Sequence, residues 1–196
     1  MPQKLTFLTV KMTEKISKRL VIDASVARSA GQEDATYPRS VRCRDFLQAV
    51  LEISHRVVMT QDIKKEWDKH QSKSARKWLR QMVAKKKLYV CNITFDDELW
   101  SEIEKWAKTD KDREAMVKDL LLIEAAIATD KIVISLDERV RELFVKAAAD
   151  IERLKQVAWV NPDVENREEE GAIAWLKNGA EVESKYLLGW QDESES

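Results

Sequence analysis

The chain has 196 residues, of which 44% are hydrophobic and 35% are charged, with only 4 Gly and 3 Pro. This length suits one α/β domain, and the composition excludes collagen-like, low-complexity and largely disordered chains. The formal net charge is −1. No run approaches the ~18 apolar residues of a membrane span, and the first residues lack the apolar core of a signal peptide, so we expect a cytoplasmic protein without membrane contact.

The predicted elements alternate between strand and helix. Short, uniformly apolar runs indicate strands covered on both faces of a parallel sheet, and apolar residues at helical spacing indicate helices. In chain order we predict a strand at 20–22, a helix at 40–53, a strand at 57–59, a helix capped by Thr60 or Asp62, a helix at 74–87, a strand at 88–93, helices at 96–107 and 120–128, a strand at 132–135, a helix at 138–149, a strand at 157–160 and a helix at 168–177.

This alternation predicts the fold class and the organisation of the chain. Strands separated by helices form βαβ units, which give a parallel β-sheet flanked by helices in a three-layer α/β fold. We expect one domain over residues 18–160 and a leader over 1–17 to which no role is assigned. Residues 161–196 would form a C-terminal acidic extension that contains the last predicted helix.

Metal chemistry, if present, must rest on oxygen ligands. The two cysteines and two histidines, Cys43, Cys91, His55 and His70, stand in no zinc-ligand spacing and offer no histidine-based nucleophilic triad. No glycine-rich phosphate loop occurs either, which disfavours a nucleotide-binding protein.

Four acidic residues stand where a parallel sheet binds its ligands, outside the carboxyl ends of its strands. Asp23 follows the first strand, Glu66 lies on the helix after the second, Asp119 opens the buried helix at 120–128, and Asp137 follows the next strand. Carboxylates brought so close together repel one another unless a cation neutralises them. All-oxygen ligation favours Mg²⁺ or Mn²⁺ over zinc.

Each acid also has a purely structural interpretation. An Asp after a strand is often a helix cap or a turn residue. Glu66 would then belong to a solvated helical face beside Lys65 and Lys69. A carboxylate near the start of a helix, as we expect for Asp119, is stabilised by the helix dipole without any metal.

These residues resemble the motifs of PIN-domain nucleases. The run Leu20-Val21-Ile22-Asp23-Ala24-Ser25 is similar to the opening strand of that family, and Glu66 after Val57-Val58-Met59-Thr60 is similar to its second acidic motif. Asp119 and Asp137, 18 positions apart, match the third and fourth motifs in order and spacing. The resemblance covers roughly residues 18 to 160. Two departures are Asp130-Lys131 where the family often has Gly, and the absence of an aromatic residue shortly after Asp137.

The resemblance implies a PIN-like, Rossmann-like fold and a metal-dependent ribonuclease. Asp23, Glu66, Asp119 and Asp137 would bind Mg²⁺ or Mn²⁺ and carry catalysis, while Ser25 and Ser135 would orient the carboxylates or a metal-bound water. Ser135 is equally well explained as a strand-end hydroxyl. Within the family, the protein would be a VapC-type toxin restrained by an antitoxin protein, and a homodimer, or else an RNA-processing nuclease.

A basic stretch accompanies the acids. Residues 64–87 hold ten Lys or Arg against Glu66 and Asp68, whereas residues 161–196 hold ten acids against three bases. The basic stretch either contacts RNA, with Arg76, Lys77 and Arg80 as the binding residues, or is a solvated helical face. The alternative to an enzyme is a PIN-fold module with a weak or silent site that binds RNA or protein through this stretch.

Overall fold

The computed structural model describes residues 17–164 and 171–190. In this part of the chain five strands form one all-parallel sheet, and eight helices flank it. The strands are β1 (Arg19–Ile22), β2 (Arg56–Met59), β3 (Leu88–Val90), β4 (Ile132–Ile134) and β5 (Ala158–Val160). The helices are α1 (Ala24–Ser29), α2 (Pro38–Glu52), α3 (Gln61–His70), α4 (Lys73–Ala84), α5 (Asp97–Trp106), α6 (Asp110–Ile127), α7 (Glu138–Ala147) and α8 (Ala172–Lys177).

The strand order is β3-β2-β1-β4-β5, which puts β1 at the centre. Leu20, Val21 and Ile22 are fully buried, as the uniform apolar run predicted. Val21 pairs with Val133 of β4, and Leu20 pairs with Val57 of β2. The chain therefore leaves β1 towards β2 on one side and returns at β4 on the other. This reversal makes the gap between β1 and β4 the topological switch point, where open α/β sheets bind ligands.

The helices form two layers. In one group α1 contacts α2 and α3, and α2 also contacts α4 and α8; in the other α6 contacts α5 and α7 and packs on β1 and β4. Helix α3 also contacts α6. The predicted three-layer α/β fold with a C-terminal helix is confirmed. No helix in the described residues is long and apolar enough to cross a membrane.

The largest error in the predicted elements concerns α6. The sequence predicted a helix at 120–128 opened by Asp119, but α6 begins at Asp110, where Thr109 Oγ1 accepts a hydrogen bond from the Asp112 N–H at 3.1 Å. Its first two turns carry mostly charged side chains, so they lack the apolar period that marks the rest. Asp119 therefore lies in the middle of a helix, and neither a cap nor the helix dipole explains it.

Other differences are smaller. Helix α1 was not predicted, because six residues are too few to show a helical period. Strand β3 ends at Val90, three residues earlier than predicted, and α4 and α7 end at Ala84 and Ala147. Residues 1–16 of the predicted leader, 165–170 and 191–196 lie outside the described residues, and so does the predicted start of the last helix at 168.

The described part of the C-terminal extension packs into the same core as the sheet. Leu176, Ala180 and Leu188 are buried. His55, in the loop before β2, accepts a hydrogen bond at Nδ1 from the Lys18 N–H at 3.1 Å, and its Nε2 lies 3.1 Å from the carbonyl oxygen of Leu176. A neutral imidazole with its proton on Nε2 satisfies both contacts. This buried ring thus joins α8 to the start of the central strand.

Candidate functional site

A cavity of about 230 Å³ lies at the carboxyl edge of the sheet, and all four predicted acids line it. Asp23 follows β1 directly, Asp137 stands just after β4, Glu66 comes from α3, and Asp119 comes from α6. The other lining residues are Ala24, Ser25, Arg28, Ile63, Trp67, His70, Lys118, Leu121 and Leu122. The fold therefore brings the four acids from four separate elements to the switch point.

Two hydroxyl groups hold the carboxylate of Asp23. Ser25 Oγ and Ser135 Oγ both donate hydrogen bonds to Asp23 Oδ2, the latter at 2.8 Å. The backbone fixes the hydroxyls in turn, because the Leu136 N–H donates to Ser25 Oγ at 3.3 Å and the Asp137 N–H donates to Ser135 Oγ at 3.2 Å. The side chain of Asp23 makes no capping hydrogen bond to α1. Its Oδ1 accepts no hydrogen bond from the described residues, so it is available to a ligand.

Asp137 has a structural role as well as a place in the cavity. Its Oδ1 accepts a hydrogen bond from the Val140 N–H at 2.9 Å and caps α7. The cap interpretation is therefore correct for this acid. It accounts for one carboxylate oxygen, and the second oxygen makes no hydrogen bond within the part of the chain that the structure describes.

Asp119 is the buried member of the group, with 9% of its surface exposed. Burial, together with the negative charges of Asp23, Asp137 and Glu66 and against the opposing effect of Lys118, raises the pKa of its carboxyl group to about 7. The pKa of Asp119 thus lies far above that of an ordinary aspartate, so its ionisation is disfavoured in the metal-free cavity. A cation among these carboxylates would favour the ionised form, because it supplies the positive charge that they lack.

Glu66 lies at the open side of the cavity, and 41% of its side chain is exposed. Its Oε2 lies 3.4 Å from Nε2 of His70, one helical turn later on α3. Lys65 pairs with Asp62 at 2.8 Å instead of with Glu66. Glu66 therefore faces the cavity and His70, a neighbour that the sequence analysis did not assign to the site although the four-residue spacing on one helix points to it.

The four carboxylates offer the oxygen ligands that hard divalent cations prefer. One of them, Asp119, is buried among the negative charges of the others, and a cation would compensate that charge. The same side chains do not form a closed ligand shell. No group of three or more His, Cys, Asp or Glu in the described residues is arranged to hold a metal ion as it stands. Asp23, Glu66, Asp119 and Asp137 share one cavity, and binding of an ion would have to draw their carboxylates together.

Two basic residues line the cavity, and neither belongs to the predicted RNA-binding set. Arg28 of α1 and Lys118 of α6 line it, whereas Arg76, Lys77 and Arg80 lie exposed on α4 and do not. Lys77 forms an ion pair with Glu33 at 2.5 Å. Sequence reasoning missed Arg28 because it missed α1, and it passed over Lys118 because a single Lys beside a buried segment carries no pattern.

Much of the basic stretch has other partners. Lys64 pairs with Asp68, and the Lys87 ammonium donates hydrogen bonds to the carbonyl oxygens of Val50, Leu51 and Ile53 at the end of α2. Lys87 therefore satisfies carbonyl groups that the helix leaves without partners. These contacts favour a structural role for part of the stretch.

A comparison with models of known protein families finds no match, and a search of curated proteins finds no similar sequence. A function is therefore inferred from the motifs and from the geometry of the cavity.

Proposed function

We propose that the protein is a PIN-type, divalent-metal-dependent nuclease that hydrolyses RNA phosphodiester bonds. The observation that carries this proposal is the meeting of four acids from four elements at the switch point of the sheet, with the buried Asp119 electrostatically coupled to the other three. Buried carboxylates that repel one another cost stability, and such an arrangement marks a functional site more often than a structural one.

Asp23, Glu66, Asp119 and Asp137 would hold Mg²⁺ or Mn²⁺. When bound there, the metal would polarise the phosphate, lower the pKa of an attacking water and neutralise the leaving oxygen. The hydrolysis then needs no histidine base, although His70 lines the cavity beside Glu66.

The chain's own residues supply orientation and charge. Ser25 and Ser135 fix one oxygen of Asp23, so the other oxygen points in a defined direction. The helix cap fixes Asp137 in a similar way. Arg28 and Lys118 place positive charge beside the acids, where they would bind the phosphate groups of the RNA strand on either side of the reacting one.

Cleavage of a mixed single-stranded RNA pool tests the proposal. The wild type is expected to cleave with Mn²⁺ and not with a chelator present, and Asp119→Asn is expected to lose at least about 100-fold in rate, because the metal contributes several kcal/mol to the transition state. Asp110→Asn is the matched control, since Asp110 is an exposed acid at the start of the same helix.

Failure of folded wild type to cleave any RNA with either metal, or equal cleavage by wild type and Asp119→Asn, would overturn the proposal. The binding module would then be the better account.

A further inference from the structure

The acidic cavity reaches the protein surface at the ends of two helices. Arg28 lies in the last turn of α1 and His70 in the last turn of α3, and both residues line the cavity. Arg28 is exposed, and 34% of the His70 side chain is exposed. The cavity is therefore open to solvent where α1 and α3 end.

Helix α4 starts beside this opening. The Ser72 N–H, directly before α4, donates a hydrogen bond to the carbonyl oxygen of Ala27 at 3.1 Å. This bond fixes the start of α4 against the end of α1, next to Arg28. Lys73 also follows His70 by only three residues, so their Cα atoms are at most about 11 Å apart. The first turn of α4 is thus a neighbour of both residues that line the opening.

The basic side chains around the opening are not neutralised by acids. Four of them are exposed and form no hydrogen bond or ion pair with another described residue: Arg28, Lys69, Lys73 and Arg76. In the same basic stretch, Lys64, Lys65 and Lys77 each pair with an acid. We call the four unpaired residues the rim cations. They concentrate positive charge at the opening of a cavity whose interior is acidic.

A single-stranded polyanion suits this distribution of charge. A small anion would occupy one or two of the rim cations, whereas a strand with regularly spaced phosphates can contact several of them while another of its phosphates lies in the cavity. Proteins bind single-stranded nucleic acid in this way, with lysine and arginine placed along the backbone of the strand. The rim cations come from three helices that meet at the opening, so they can serve one continuous strand.

We propose that single-stranded RNA leaves the acidic cavity past Arg28 and crosses the first turn of α4, where Lys73 and Arg76 bind its phosphate groups. The identification of the ligand as RNA rests on the proposed nuclease function. The course of the strand rests instead on the unpaired rim cations and on the hydrogen bond that joins Ser72 to Ala27.

Fluorescence anisotropy of a fluorescein-labelled oligouridine of about ten nucleotides, in a chelating buffer, tests this path without any cleavage. The test variant combines Lys73→Gln with Arg76→Gln. The matched control combines Lys85→Gln with Lys86→Gln, which removes the same charge from exposed residues of the same basic stretch at the other end of α4. Lys85 lies about 18 Å from Lys73 along the helix axis, beyond the Debye length of about 10 Å at 0.1 M salt.

The test variant is expected to bind the oligouridine at least about tenfold more weakly than the wild type at 0.1 M salt, because two phosphate contacts are lost. The slope of log affinity against log salt concentration should fall by about 1.4. The control should keep the affinity and the slope of the wild type, and circular dichroism should show the same fold in all three proteins.

Equal losses in the test variant and the control would overturn the path in favour of a general effect of charge. No loss in the test variant, no binding by the wild type, or tighter binding of a labelled oligoglutamate of the same length would overturn it as well. A loss confined to the test variant, without RNA cleavage in the separate activity assay, would retain the path and reject the nuclease. Cleavage by the wild type together with unchanged binding by the test variant would retain the nuclease and reject the path.

Discussion

Replacing Asp119 by Asn should stabilise the metal-free protein, and more strongly as the pH rises. Folding raises the pKa of this carboxyl group from 3.8 to about 7, chiefly through burial. A carboxyl group whose pKa is raised in the folded state destabilises the fold at high pH, because its negative charge must then form in the buried site. Below its unfolded pKa the group has no such cost, and the cost is complete above pH 7.

The size of the effect follows from the difference between the two pKa values. At 1.36 kcal/mol for each pH unit, the full cost of ionising Asp119 in the fold is about 4 kcal/mol. About 2.5 kcal/mol of this ionisation cost arises between pH 5 and pH 8. Asn has nearly the same shape and no charge, so the gap in stability between Asp119→Asn and the wild type should widen by about that amount. For a chain of this length it corresponds to a gap in Tm of about 5 to 10 °C.

The assay is urea unfolding, followed by circular dichroism, at pH 5 and pH 8 in the presence of a chelator. Asp110→Asn on the same helix is exposed and should follow the wild type within about 0.5 kcal/mol. Adding Mn²⁺ at pH 8 should reverse the order, because the ion stabilises the protein that has all four carboxylates. If Asp119→Asn were less stable than the wild type at pH 8 without metal, the electrostatic coupling described for this cavity would be wrong.

Three further predictions concern other parts of the structure. Arg28→Ala should weaken binding of single-stranded RNA and reduce the slope of log affinity against log salt concentration by about 0.7. Arg80→Ala on α4 should change neither the affinity nor the slope. A larger loss of affinity with Arg80→Ala would favour RNA binding by the basic stretch. Lys131 has a φ of 61°, in the left-handed region that favours glycine, so Lys131→Gly should raise the unfolding free energy by about 0.5–1 kcal/mol and Lys131→Val should lower it by at least about 1 kcal/mol. Urea unfolding measures both values. A Val variant more stable than the Gly variant would exclude backbone strain at this residue. Burial lowers the pKa of His55, so the stability that its neutral ring contributes should be lost as the pH falls below about 6.5. Between pH 7 and pH 5, His55→Asn should therefore lose less unfolding free energy than the wild type. Equal losses in the two proteins would contradict a neutral ring at this position.

The positions of Asp23 and Asp137 could be predicted because of the strands before them. Leu20 to Ile22 and Ile132 to Ile134 are fully buried runs, and a uniform apolar run has one good explanation in an α/β chain. An acid after such a run must lie at the carboxyl edge of the sheet. Two such acids on neighbouring strands must therefore lie near each other.

The setting of Asp119 could not be predicted in the same way. The charged first turns of α6 hid its true start, so a mid-helix acid was mistaken for a helix-opening one. The contacts and backbone conformation of Asp130 and Lys131 also became clear only in the structure. Asp130 binds the backbone and guanidinium of Arg19, and Lys131 adopts the left-handed conformation that favours glycine. The turn before β4 thus contains a left-handed residue that is not a glycine.

The partners of the basic stretch could not be predicted from the sequence. Lys77 pairs with Glu33, which is 44 residues earlier in the chain, and Lys87 binds the carbonyl groups at the end of α2. Partners so distant in sequence cannot be read from composition. The positive charge that lines the acidic cavity comes from Arg28 and Lys118, which belong to no run of basic residues.

The most direct test of the central claim is a crystal structure grown with Mn²⁺ and measured for the anomalous signal of the ion. We expect a peak in the cavity at about 2 to 2.5 Å from carboxylate oxygens of Asp23, Asp119 and Asp137, with Glu66 close enough to bind directly or through a water. A well-ordered cavity without an anomalous peak at millimolar Mn²⁺, or a peak only elsewhere on the protein, would contradict the claim that these four acids form a metal site.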